Sequence, residues 1–236
     1  MRFLETLNFN WMELLNFYEQ PFRAKLVPSK IWRDLDGYRN DPEGLSNYFK
    51  KWKTRIEYRA PISKRQTKYV YVGGEYSPDD RQCAIFVYTL EFDKHPFTDK
   101  TWGKFKYRVM QTLMHELIHF MQYDRRYDEY SNYVLPHKKV GHSLKDAERK
   151  YLSEFDEIQA YAHCVYMDIK TNHPNVDISS FFNMKLLKER CPSSTLKYIL
   201  KTFNYDCTNN HAIPKLFKQV LKWDRKYGKL NSMYVN

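Results

Sequence analysis

A chain of 236 residues with 42% hydrophobic and 17% aromatic side chains is long and apolar enough for a sizeable core, which excludes a disordered chain. The 39 basic residues outnumber the 28 acidic ones, and the net charge of +11 favours nucleic acid or another anionic partner without defining a function. No run approaches the ~20 uninterrupted apolar residues of a membrane-spanning helix, and the opening segment lacks the apolar core of a signal peptide, so a cytoplasmic protein with no membrane partner is expected.

Along the chain, residues 9 to 19 and roughly 41 to 55 carry apolar side chains at helical spacing, the second stretch with Asp41 and Pro42 at its start. Between 67 and 92 the pattern changes to two runs rich in β-branched and aromatic residues, separated by Gly73, Gly74, Pro78 and two aspartates. These predict two strands able to form a hairpin. A helix follows, with Thr98 as its cap and Asp99 in its first turn, and runs to about Asp124. Residues 125 to 150 are polar with little periodicity. "YLSEFDEIQAYAHCVYMDIK" returns to a helix that Ser153 can cap, and two or three further helices fill the C-terminal third. There the lysines of "KLLKER", "KYILKTF" and "KLFKQVLKWDRKYGK" alternate with apolar residues, as on the solvated faces of amphipathic helices. With no linker, repeat or low-complexity block, residues 1–236 are expected to form a single domain, mainly helical with a small β-sheet. Cys83, Cys164, Cys191 and Cys207 include no CxxC pair and are expected to be free thiols.

Chemistry concentrates in "HELIH", residues 115 to 119. A helix turns ~100° per residue, so His115 and His119 lie on one face about 6 Å apart and can aim two imidazole nitrogens at one ion. Glu116, one step round, is placed to hydrogen-bond a water beside the metal and act as general base. Met110, Leu113, Met114, Leu117, Phe120 and Met121 surround the motif with apolar side chains, as on a helix in the core. A hydrolytic zinc takes three protein ligands, so a third is needed. Gln122 and Arg125 stand where a metzincin would have glycine and histidine, and Asp124, ~140° round from His119, is poorly aimed. The better source is the helix near Ser153: Glu157, preceding "IQAYA", where Ala160 allows close helix approach, with Glu154 as its rival. Cys164 is too far along to share the ion with Glu157. His95, His163, His173 and His211 lack ligand-spaced partners.

HELIH, the strand pair before it and "YLSEFDEIQAYA" after it resemble the zincin fold, specifically the gluzincin metallopeptidases, and within them small metallopeptidases encoded by tailed bacteriophages. The resemblance covers about residues 67 to 168. It implies an α+β zincin-like domain with a catalytic core at about 67–170 and helical extensions on both sides. It implies Zn²⁺ as cofactor, a protein or peptide substrate, endopeptidase activity and, for a phage-encoded protein, a place in the host cytoplasm or the virion. By analogy, the strand "CAIFVYTL", with Cys83, Ala84, Ile85, Phe86 and Val87, would be the edge strand that pairs with an extended substrate. An oxyanion donor would come from Tyr133, His137 or His142, of which His142 is chosen. Many gluzincins place an aspartate four residues after the third ligand; here Tyr161 follows Glu157 and Ile158 follows Glu154. Two other readings are a virion or assembly protein that keeps the fold without catalysis, and a nucleic-acid-binding protein using the basic C-terminal helices.

Overall fold

The computed structural model describes residues 33–51, 54–60, 71–80, 82–89, 97–125, 144–173 and 175–233. The helix expected at 9–19 and the candidates Tyr133, His137 and His142 lie outside them. The described fold is mixed α+β, mostly helical with a small three-stranded sheet. Beside the expectation of one domain, the chain divides into two compact units, one ending at Arg125 and the other lying after it.

The first unit opens with a 3₁₀ turn, Leu35–Tyr38, and helix α1, Pro42–Lys50. Asp41 caps α1 by accepting the Gly44 N–H at 2.8 Å, and Pro42 occupies the first turn, where no N–H is needed. The helix stops at Lys50 rather than running to residue 55, because Thr54–Arg59 forms strand β1. Strand β2, Tyr71–Ser77, and strand β3, Gln82–Tyr88, form the expected hairpin, but Gly73 and Gly74 lie inside β2 instead of between the strands.

The strand order is β1-β3-β2, with β1 parallel and β2 antiparallel to β3. This corrects the assignment of Cys83, Ala84, Ile85, Phe86 and Val87 to a substrate-pairing edge. Both backbone sides of β3 are already hydrogen-bonded, to β1 through Thr54↔Cys83 to Arg59↔Tyr88 and to β2 through Tyr71↔Tyr88 to Ser77↔Gln82. Those five residues are buried, as in a core strand. Because side chains alternate faces, Ile56, Ile85 and Gly74 share one face with Tyr76 and Val87, while Glu57, Phe86 and Gly73 share the other with Arg59 and Tyr88. On that second face Arg55 and Arg59 both bond Glu57, holding its carboxyl below the usual range, and the Arg59 guanidinium lies 3.3 Å from the Phe86 ring centroid.

Helix α2, Asp99–Arg125, packs on the first face. Thr98 caps it as expected, its hydroxyl accepting the Thr101 N–H at 3.2 Å. Arg39 fastens the same end through Asp99 at 2.8 Å and the Phe97 carbonyl. One turn on, Asp36 accepts from Trp102 Nε1 at 2.9 Å and from the buried Lys106 ammonium at 2.5 Å. From Val109 to Tyr123 no side chain is exposed, and Met110, Leu113, Met114, Leu117 and Phe120 are buried while Met121 is half-buried.

The regular elements among the described residues of the second unit are all helices. Helix α3, Leu144–Leu152, lies where the sequence showed little periodicity. It is followed by α4, Phe155–Asn172; a 3₁₀ turn, Ile178–Phe181; α5, Met184–Glu189; α6, Ser194–Thr202; and α7, Ala212–Met233. Ser153 does not cap α4. Its hydroxyl donates to the Arg149 carbonyl at 2.7 Å and closes α3, so Glu154 takes the cap position of α4 with extended backbone and no side-chain cap bond. Helix α4 is the core of the unit, buried at almost every position from Glu157 to Ile169. Lys170 pairs with Asp224 of α7 at 3.0 Å, and His163 meets the Trp223 ring edge-on at 5.1 Å. Arg149 donates to the Thr202 carbonyl at 2.8 Å, tying α3 to the end of α6.

At the start of α6, the buried Asp168 carboxylate accepts from Ser193 Oγ at 2.6 Å and from the Thr195 N–H at 3.3 Å, while Ser193 Oγ accepts the Leu196 N–H at 3.0 Å. Replacing Asp168 by alanine leaves those donors in a dry site, so we expect a loss of about 1–3 kcal/mol, measured as a lower urea midpoint. A midpoint equal to the wild type would show that this relay contributes nothing.

Candidate metal centre

Helix α2 holds the motif where a buried helix must satisfy its own polar side chains. His115 and Glu116 are buried and His119 is half-buried. The two imidazole rings meet edge-on, with centroids 4.7 Å apart, and their Nε2 atoms face each other at 3.0 Å. Two nitrogens bound to one tetrahedral zinc at ~2.0–2.1 Å each would be ~3.3 Å apart, so the pair is already close to a chelating geometry.

The orientation of His119 is set by Gln122, whose Oε1 lies 2.9 Å from His119 Nδ1. An amide oxygen only accepts, so in the neutral imidazole Nδ1 carries the proton and Nε2 keeps its lone pair. His115 then donates to His119 across the 3.0 Å contact. A cation between the rings would take the place of that shared proton. Gln122 went unrecognised in the sequence except as a departure from the metzincin pattern; its signal was a side-chain amide three residues after His119, on the same helical side.

Glu116 lies beside the pair and against the sheet. Cys83 on β3 is its neighbour, and burial first, with the Glu116 charge adding to it, pushes the Cys83 thiol well up. Cys83 is not among the residues whose ligand atoms come together at the histidine pair. In the second unit, Glu157 is buried in the first turn of α4. Burial pushes the phenol of Tyr161, one turn further on, well up, and the Glu157 carboxylate adds to the effect.

The ligand atoms of His115, His119 and Glu157 lie within 4.8 Å of one another, and this largely buried group could hold a metal ion. Glu154, which stands at the cap of α4, is not part of it. Two imidazole nitrogens and one carboxylate oxygen suit a borderline divalent ion and leave a fourth position for water or substrate. Among the described residues, His163, His173 and His211 belong to no such group, and Cys164 is buried and in no disulfide.

No protein-family model matches the chain, and neither a curated protein nor a solved structure matches it. Among the described residues, no helix is long and apolar enough to cross a membrane.

If Gln122 holds His119 in its ligating tautomer, Gln122→Leu will weaken Co²⁺ binding about 10–100-fold, while Gln122→Glu, which keeps an acceptor oxygen, will stay near the wild type. The visible absorption of a cobalt titration reads both variants, and equal affinities would remove Gln122 from the site.

Proposed function

We propose that the chain is a zinc-dependent metallopeptidase of the gluzincin kind, with a zincin-like fold, that cleaves peptide bonds within a protein or peptide substrate. The observation that carries the reading is the meeting of His115, His119 and Glu157 on one point, with a buried glutamate, Glu116, next to the first histidine. Two histidines and a glutamate form the donor set of hydrolytic zinc sites, and Gln122 supplies the outer hydrogen bond such histidines need.

His115, His119 and Glu157 would hold the zinc. When bound, zinc supplies Lewis acidity, which polarises a carbonyl and lowers the pKa of water. Glu116 accepts the proton of the attacking water and passes it to the leaving amine nitrogen, so one carboxylate serves as base and then acid. Its apolar surroundings on α2 exclude competing water. The backbone that approaches Glu116 is β2 rather than β3. Among the described residues β2 is paired on one side alone, so an extended substrate would be received along β2.

A second reading rests on α7. Its exposed charged side chains among the described residues are Lys215, Lys218, Lys222 and Arg225, all basic and all on one side of the helix. Such a row fits the phosphates of a nucleic acid.

Glu116→Gln should lower hydrolysis of a labelled casein by about 10²–10⁴-fold while zinc content, measured by elemental analysis, stays at the wild-type level. Glu157→Ala should lose the metal, and Glu154→Ala should keep it. Hydrolysis unaffected by Glu116→Gln would end the peptidase reading. For the second reading, binding of a duplex oligonucleotide should survive chelation and weaken with salt at a logarithmic slope of about −3 to −4, as four phosphate contacts require. A slope unchanged when all four cations become glutamine would rule α7 out.

A further inference from the structure

Gly74 is strand backbone with no left-handed φ, so conformational freedom does not explain a glycine there; space does. A Cβ built on it would lie 2.5 Å from Thr112 Cγ2, 2.7 Å from Glu116 Oε1 and 2.9 Å from Glu116 Cγ. All three distances are far inside the ~3.5–4.0 Å at which carbon atoms pack. The strand cannot easily retreat. Gly74 is in register with Ile85 of β3, and two residues on, Tyr76 packs edge-on against Phe120 at 5.6 Å and against Tyr123 at 6.1 Å. Helix α2 is fixed at its other end by Asp36 through Trp102 and Lys106. Between two fixed backbones the group that must turn is the Glu116 side chain, which has three rotatable bonds.

The geometry points to Gly74 as the positioning residue of Glu116: the bare backbone of β2 is the wall against which the carboxylate rests, and any side chain at 74 turns it aside. The inference rests on Glu116 as the base proposed above and adds the element that holds it. Gly73 is not equivalent, since a Cβ there would meet Tyr88 at an ordinary 3.6 Å on the opposite face.

The test separates the methyl of Thr112 from the carboxylate of Glu116. Thr112→Ser removes the Cγ2 contact, so adding Gly74→Ala to Thr112→Ser leaves only the collision with Glu116. In the full-length, zinc-loaded protein we expect this pair to keep its metal and a KM within about 2-fold of Thr112→Ser, while kcat falls by about 10-fold or more. In a Glu116→Gln background, Gly74→Ala should lower kcat no further. A second readout needs no activity. Thermal unfolding of the same chains should show that Glu116→Ala recovers at least about half of the Tm lost to Gly74→Ala on Thr112→Ser, as coupled neighbours do. Additive Tm losses would overturn the inference, and so would an unchanged kcat in an active protein. If no chain hydrolyses peptide yet the Tm coupling holds, Gly74 stands as the seat of Glu116 and the peptidase reading alone falls.

Discussion

Everything else in the site depends on one constraint: a helix with no exposed side chain between Val109 and Tyr123 carries His115, Glu116, His119 and Gln122 along about two turns. Polar groups removed from water must find partners or cost free energy. The helix meets this need in part by its own periodicity. Residues four apart bring the two Nε2 atoms to 3.0 Å, and residues three apart bring Gln122 to 2.9 Å from the far nitrogen of His119. The outcome is a short hydrogen-bonded row whose central contact, nitrogen to nitrogen, is the one a divalent cation most readily replaces. Satisfying burial and preparing a ligand pair are here the same arrangement.

The second unit meets the same constraint by a different route. Helix α4 is as deeply buried, and at its far end Asp168 receives a hydroxyl and a backbone N–H at the start of α6. Those donors belong to a helix terminus, where N–H groups lack partners within the helix. The carboxylate therefore joins two helices and needs no cation. Glu157, at the opposite end of α4, belongs instead to the group that could hold a metal ion. Two buried acids on one helix thus have different surroundings, and only Asp168 is held by a helix end.

Much of this was legible before any coordinates, and the misses have local causes. Helix α2 announced both its ends and its polar face, because capping and the 3.6-residue period are properties of adjacent residues. The hairpin and the amphipathic C-terminal helices followed from the same kind of signal. Thr54 and Arg55 instead read as the end of α1 and the residues after them as no element, since the strand character of "TRIEYR" depends on pairing with residues 83–88 far along the chain. That same non-local pairing made β3 central and cancelled the edge assigned to it. Gly73 and Gly74 looked like turn punctuation, and only the packing of α2 against β2 reveals that at 74 the glycine makes room for a carboxylate. Glu157 could be preferred to Glu154 on sequence, but that Ser153 closes α3 instead of capping α4 depends on a hydrogen bond no periodicity encodes.

The strand order also governs when the site can come into being. As the chain leaves the ribosome, β1 emerges first and β2 next, yet neither has its partner until β3 follows, because β3 pairs with both and they do not pair with each other. Helix α2 emerges directly after β3. The apolar face it packs on is therefore completed only just before the helix itself, leaving little time in which a buried His, Glu and Gln row is exposed without a sheet to cover it.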